Sequence, residues 1–378
     1  MPNFSGIWST AQQFQARGQN IWPKPPGAPT IGTATAGNSL CASVTFTAPG
    51  CTGYPTGVSS YTATSTPGCF TASGAASPLT VAGLTNGTSY TFKVKATGSG
   101  GLTGPCSAAS NSITASNAGS QSYTTAGSYS WVAPAGVTSV SVVAVGGGAA
   151  GGRFYAGQGG SLGYKNNITV VPGNSYTVVV GKAGTSNACC AGAGAGDSYF
   201  CSTSVVKGGK GRGGQTAGSY TGDGGGLGGG VGASSSYGPA GGGGAGGYSG
   251  NGGAGGINTC AGSAGSGGGG GGGGAYSRTY NCCQSNGGGG GGGVGILGSG
   301  ANGAGGTVGN GTANGGGGGS GGATGGSGCY TGYTSGAGGA YGGGGGKGNN
   351  AQYGAVGAVR IIWPGNTRSF PSTSAGNP

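Results

Sequence analysis

Glycine sets the terms on which this chain can fold. It supplies 109 of 378 residues, and unevenly: residues 1–138 hold 19, and the rest of the chain holds the other 90. Runs such as residues 267–274 and 287–293 offer no side chains from which to build an ordinary core. No proline-rich Gly-X-Y period is present, which excludes a collagen triple helix. Two states are open to such a sequence. It is a flexible Gly/Ser-type linker, or its main chains pack directly on one another and pair their amides laterally.

Charge narrows the function classes. Charged residues are 4 % of the chain, against about 25 % in ordinary globular proteins. Asp197 and Asp223 are the only acids, and there is no Glu and no His. That removes Ser-His-Asp and Cys-His chemistry, histidine metal ligands, a glutamate base and the paired carboxylates of glycoside hydrolysis. The reading is therefore not an enzyme, with no catalytic residue, no metal site and no cofactor; the two Asp residues are expected to cap turns. The net charge is +12, but the basic residues are scattered. Lys207, Lys210 and Arg212 form the only close group, read as a solvated loop. With no basic patch or recognised motif, nucleic acid is not an expected partner. The positive excess favours approach to an anionic surface such as lipopolysaccharide, an attraction that salt would weaken.

No apolar run approaches the ~20 residues of a membrane span, and residues 1–8 lack the basic and apolar regions of a secretory signal. The expectation is a soluble protein made in a cytoplasm, without membrane insertion. Eleven cysteines show no paired CxxC spacing for zinc. They read equally as small buried hydrophobes and as disulfides formed after release into an oxidising medium.

Along the chain, residues 1–25 read as a short head. Ile7, Ala11 and Phe14 fit one face of a two-turn helix ended by Gly18, and Trp22-Pro23-Lys24-Pro25-Pro26 reads as an extended linker. Residues 26–116 read as seven short strands. Tyr90, Phe92, Val94 and Ala96 alternate with polar residues, the pattern of an antiparallel sheet with one wet face. The run Leu84-Thr85-Asn86-Gly87-Thr88-Ser89-Tyr90-Thr91-Phe92-Lys93-Val94-Lys95-Ala96 resembles the E–F turn and F strand of a fibronectin type III domain. That resemblance places Tyr90 at the tyrosine corner, with Pro26-Gly27-Ala28-Pro29 as the opening; Phe46 departs from it, standing where Trp is common. It implies a β-sandwich serving as spacer or binding module, and fixes no function.

The Gly-rich part, residues 117–366, is flanked by strand signals. Those at one end include Ser139-Val140-Ser141-Val142-Val143-Ala144-Val145 and Ser175-Tyr176-Thr177-Val178-Val179-Val180, and the other end closes with Ala358-Val359-Arg360-Ile361-Ile362-Trp363. Residues 367–378 read as a tail. With Trp131-Val132-Ala133-Pro134-Ala135-Gly136 and Val145-Gly146-Gly147-Gly148, this arrangement resembles the glycine-rich domain of bacteriophage tail-fibre and related virion proteins. The expected fold is all-β: a fibronectin III-like sandwich, then strands enclosing a lattice of polyglycine helices of polyproline II type. Such helices have three residues per turn and no internal hydrogen bonds, so glycine lets neighbours approach and pair. Non-glycine residues would be confined to the outside or to turns.

The resemblance implies a structural virion protein on the particle surface, a tail-fibre or fibre-like adhesin. Phe4, Ile7, Trp8, Phe14 and Trp22 are the candidate docking residues toward other virion proteins. Tyr237, Tyr248, Tyr276, Tyr280, Tyr330 and Tyr333, recurring between Gly runs, are the candidate receptor-binding residues for a host cell-surface glycan or protein, tyrosine being a rigid, amphipathic contact residue. A homotrimer is common among fibres, although no heptad stalk is present. The alternative is a capsid decoration or tail accessory subunit that touches no receptor. An ice-binding face would need a regular Thr or Ala period, and none is visible in the sequence.

Overall fold

The computed structural model describes residues 9–18, 24–37, 40–54, 57–152, 155–187, 190–193, 195–213, 218–231, 239–280, 283–309, 311–329, 335–348 and 352–372. Its strands pair antiparallel in several sheets, and the chain divides into two compact units, Met1–Ala118 and Gly119–Pro378.

The first unit opens with helix α1, Thr10–Gly18. Ser9 and Gln12 cap it reciprocally: the Gln12 side chain accepts the Ser9 N–H at 2.9 Å, and Ser9 Oγ accepts the Gln12 N–H at 3.4 Å. Seven strands follow: β1 (Thr30–Ala36), β2 (Ala42–Thr47), β3 (Val58–Thr66), β4 (Thr71–Gly74), β5 (Leu79–Val81), β6 (Ser89–Gly98) and β7 (Ile113–Thr114). They form one sheet in the order β1-β2-β5 and another in the order β4-β3-β6-β7. Val44, Phe46, Tyr61, Val81, Leu84, Tyr90, Phe92 and Val94 share one core, so the alternation in the sequence is realised as one buried face per sheet. The Tyr90 hydroxyl accepts the Thr85 N–H at 3.0 Å, tying the turn before β6 to the strand.

The second unit begins with β8 (Gly119–Tyr123), β9 (Gly127–Val132), β10 (Ser139–Val145), β11 (Leu162–Thr169) and β12 (Ser175–Val180). A five-stranded sheet places β10 between β11 and the closing strand Ala358–Trp363, which also pairs with β8. A second sheet joins β9, β12, Ser198–Phe200 and Val206–Gly208 in that order. Both faces of β10 are covered. Val140, Val142 and Ala144 meet Trp131, Val178, Phe200 and Val206 between the sheets, whereas Val143 and Val145 meet Ala245, Tyr248, Val294, Ile296 and Phe370 on the other face. Burial on both sides is why the run from Val140 to Val145 is continuously apolar apart from the buried Ser141.

Beyond the sheets, glycine segments lie side by side outside helix and strand. Their hydrogen bonds repeat every three residues. Gly241 and Gly244 donate to Gly256 and Gly253, Gly242 and Ala245 donate to Gly289 and Gly292, and Gly243 and Gly246 donate to Gly157 and Gly160, all at 2.9–3.0 Å. The same segment accepts from Gly273 and Gly270, from Gly344, and from Gly229. One run of main chain therefore bonds to six others, three through its N–H groups and three through its carbonyls. Residues 270–275 and 289–293 are bonded in the same threefold way. Glycine is required by the approach: a Cβ on Gly243 would stand 1.9 Å from Gly229 O, and one on Gly273 2.1 Å from Gly289 O.

One expectation changes. Non-glycine residues are not confined to the outside or to turns, because Ala245 and Val294 are fully buried where glycine segments rest on the five-stranded sheet; a side chain is admitted there since a side-chain core, not another main chain, faces it. Within the segment read as a tail, Phe370 is buried and stacks on Tyr248 at 5.9 Å.

Candidate functional site

The hydrogen-bond register orients the second unit. Residues 241–246 run parallel to residues 289–292 and opposite to residues 250–256 and 270–273. Their turns therefore fall at two ends. Ile257–Cys260, the hairpin of Ala275–Tyr280 with Cys283–Gly288, and the small sheet of Val308–Gly309, Thr312–Ala313 and Gly328–Cys329 gather at one end. Gly119, where the unit begins, pairs with Trp363 at the opposite end of the five-stranded sheet, away from Val145 and Ala358. Loops and chain entry thus lie at opposite poles.

Tyr276 stands at the loop pole, half-buried and paired with Gly287 across the hairpin. Tyr280 is paired with Cys283 in the same hairpin. Tyr237, Tyr330 and Tyr333 lie outside the described residues. Tyr248 is a correction. It sits at the other pole, fully buried, with its hydroxyl donating to Gly295 O and accepting from Gly298 N, each at 3.2 Å. Burial pushes its phenol well above the usual range. The ring fills the junction between sheet and glycine segments instead of facing solvent.

The sequence reading missed two tyrosines at the loop pole, Tyr155 (48 % exposed) and Tyr353 (60 % exposed). Tyr155 follows the segment of residues 146–152 and Tyr353 precedes the closing strand, so neither falls between long Gly runs. The turn between residues 256 and 261 carries Asn258 and Thr259 at φ 46° and 70°. A β-branched residue in the left-handed region is strained, and both side chains are exposed. Lys347 is buried nearby, its ammonium pushed down by desolvation.

Of the docking candidates, Phe14 is exposed on α1. Phe4, Ile7, Trp8 and Trp22 lie outside the described residues. Asp223 accepts the Asn166 N–H at 2.8 Å and pairs with Lys165 at 3.3 Å, and Asp197 accepts the Lys210 N–H at 2.8 Å, so both acids hold backbone in place. Among the described residues no group of three His, Cys, Asp or Glu side chains could hold a metal ion, and no helix is long and apolar enough to cross a membrane. Cys41, Cys51, Cys69, Cys106, Cys201 and Cys260 are free thiols. No protein-family model and no curated protein matches this chain.

Proposed function

We propose that this chain is a structural attachment protein of a bacteriophage particle, in which a polyglycine II-type lattice serves as a rigid platform for receptor-binding loops. The observation that carries the reading is the three-residue alternation of hydrogen bonds, which sends the N–H groups of residues 241–246 to three different neighbours. A helix of three residues per turn without internal bonds pairs in this way, and a linker does not. Ordering glycine backbone costs ~1–2 kcal/mol per residue, and lateral amide pairing throughout offsets it. The fibronectin III-like first unit is the spacer, its Tyr90–Thr85 bond supporting a tyrosine corner, and the head docks to the particle.

The polarity of the second unit supports the adhesin reading over an inert decoration: Tyr155, Tyr276 and the strained Thr259 share the pole opposite the chain entry. Two measurements test the proposal. Amide exchange should be strongly protected at residues 241–246, 270–275 and 289–293, and rapid exchange there would remove the platform. Purified protein should block particle adsorption to the host, and full adsorption at saturating protein would remove the receptor-binding role.

A further inference from the structure

A second surface lies on the flank of the same unit. The strands β12, Ser198–Phe200 and Val206–Gly208 are neighbours in that order. Their inward side chains, Val178, Val180, Phe200 and Val206, fill the core. Tyr199 and Lys207 alternate with those and face outward, directly paired across the two strands, and both are half-buried. The chain continues past these strands in the same lateral order, since Gly196 N bonds Lys182 O at 3.0 Å and Lys210 N bonds Asp197 Oδ1 at 2.8 Å. Lys182 and Arg212 are exposed, and Lys210 is half-exposed.

Lys182, Lys207, Lys210 and Arg212 thus fall along the neighbouring segments that carry Tyr199, with Lys207 directly opposite the ring and its Nζ donating to Ser219 Oγ at 3.3 Å, and with Asp197 as the one carboxylate among them. The chain's other acid, Asp223, is engaged by Lys165 and the Asn166 N–H. We propose that this face binds an anionic polysaccharide, sugar rings bearing carboxylate, phosphate or sulfate, with Tyr199 stacking on a ring and the four cations holding the anionic groups. Charge complementarity selects the occupant: an excess of cations on a chain with two acids attracts a polyanion, and an aromatic surface beside them favours one built from rings over a bare phosphate chain. The inference stands independently of receptor binding by the loop pole.

The test uses the purified full chain and three probes: a heparin oligosaccharide, inorganic polyphosphate of matched charge, and neutral dextran. Titration at low and moderate salt reads the affinity. Heparin should bind, more weakly as salt rises, and dextran should not. Lys182→Gln with Lys207→Gln should weaken heparin binding about tenfold or more, two charge contacts at about threefold to fivefold each. Tyr199→Ala should weaken heparin about threefold to tenfold while leaving polyphosphate unchanged. Lys182→Gln alone, at an exposed position, keeps the test valid if the double variant misfolds, and should cost about threefold. Unchanged heparin affinity in the lysine variants, or equal heparin and polyphosphate affinities that ignore Tyr199→Ala, would overturn the proposal. Failure of the protein to block adsorption bears on the loops alone.

Discussion

Gly291 gives the sharpest test of main-chain packing. A Cβ there would lie 2.0 Å from Gly243 O and 2.3 Å from Gly243 C, both backbone atoms, where ordinary contact begins at 3.4 Å. No flexible side chain can turn aside, so two backbone segments must separate. Gly242 N donates to Gly289 O and Ala245 N donates to Gly292 O, both at 2.9 Å, across the same two segments; separation lengthens both. Leaving buried amide groups unpaired costs ~1–3 kcal/mol each, and overpacking a tight interior costs ~1–3 kcal/mol. Because the two bonds stretch before they break, each contribution falls near the low end of its range, and Gly291→Ala should cost about 3–5 kcal/mol. At ~2–4 °C per kcal/mol for a unit of this size, the second unit should melt about 6–20 °C lower. Gly230→Ala is the control: Gly230 is exposed, a Cβ there meets nothing within 4 Å, and the change should be neutral or stabilise by ~0.4–1 kcal/mol. Calorimetry of the full chain reads both variants. If Gly291→Ala melts with the wild type, the glycine segments are not in contact and the reasoning fails.

Alkaline unfolding should depend on Tyr248. Its folded pKa is raised above the ordinary 10.0, so its contribution is fully present below pH 10 and falls as pH rises beyond it; Tyr248→Phe should flatten that decline in thermal melts between pH 9 and 11. Ser320 Oγ accepts from Gly300 N at 3.0 Å and donates to Gly268 O at 2.8 Å while buried, so Ser320→Ala should cost ~1–3 kcal/mol by chemical denaturation. In the first unit, Tyr90→Phe should cost ~1 kcal/mol, read as a lower melting temperature for that unit with the second unchanged. Protein lacking residues 1–25 should keep the strand signal of its circular dichroism spectrum, losing only the contribution of α1, yet stay out of particles; normal incorporation would refute the docking role of the head.

Much of the architecture is legible in the sequence, because alternation and turn residues specify strands locally. Tyr90, Phe92, Val94 and Ala96 announce β6 and its buried face. The strand signals on either side of the Gly-rich stretch foretell that both ends return to the same sheets, although not that β10 and Ala358–Trp363 are direct neighbours. What composition conceals is parity. Successive segments reverse direction, so turns between Gly runs alternate between poles. Tyr248 follows the segment of residues 241–247 and Tyr276 follows that of residues 270–275, and recurrence alone does not separate a residue at the loop pole from one buried at the far end. The period on the outer segments is hidden for a related reason. Ala301, Ala304 and Thr307 are exposed three apart while Gly303 and Gly306 are buried. The motif lasts only one short segment, and the adjoining residues 315–318 present glycine.

The threefold bonding of residues 241–246 also sets a unit of length for the molecule. Adding or removing three glycines moves each donor on to the next turn and back to the same partner segment, whereas one or two would rotate every later amide toward the wrong neighbour. Such a scaffold is measured in triplets, and it can grow or shrink by whole triplets while the loops at its pole keep their bearings.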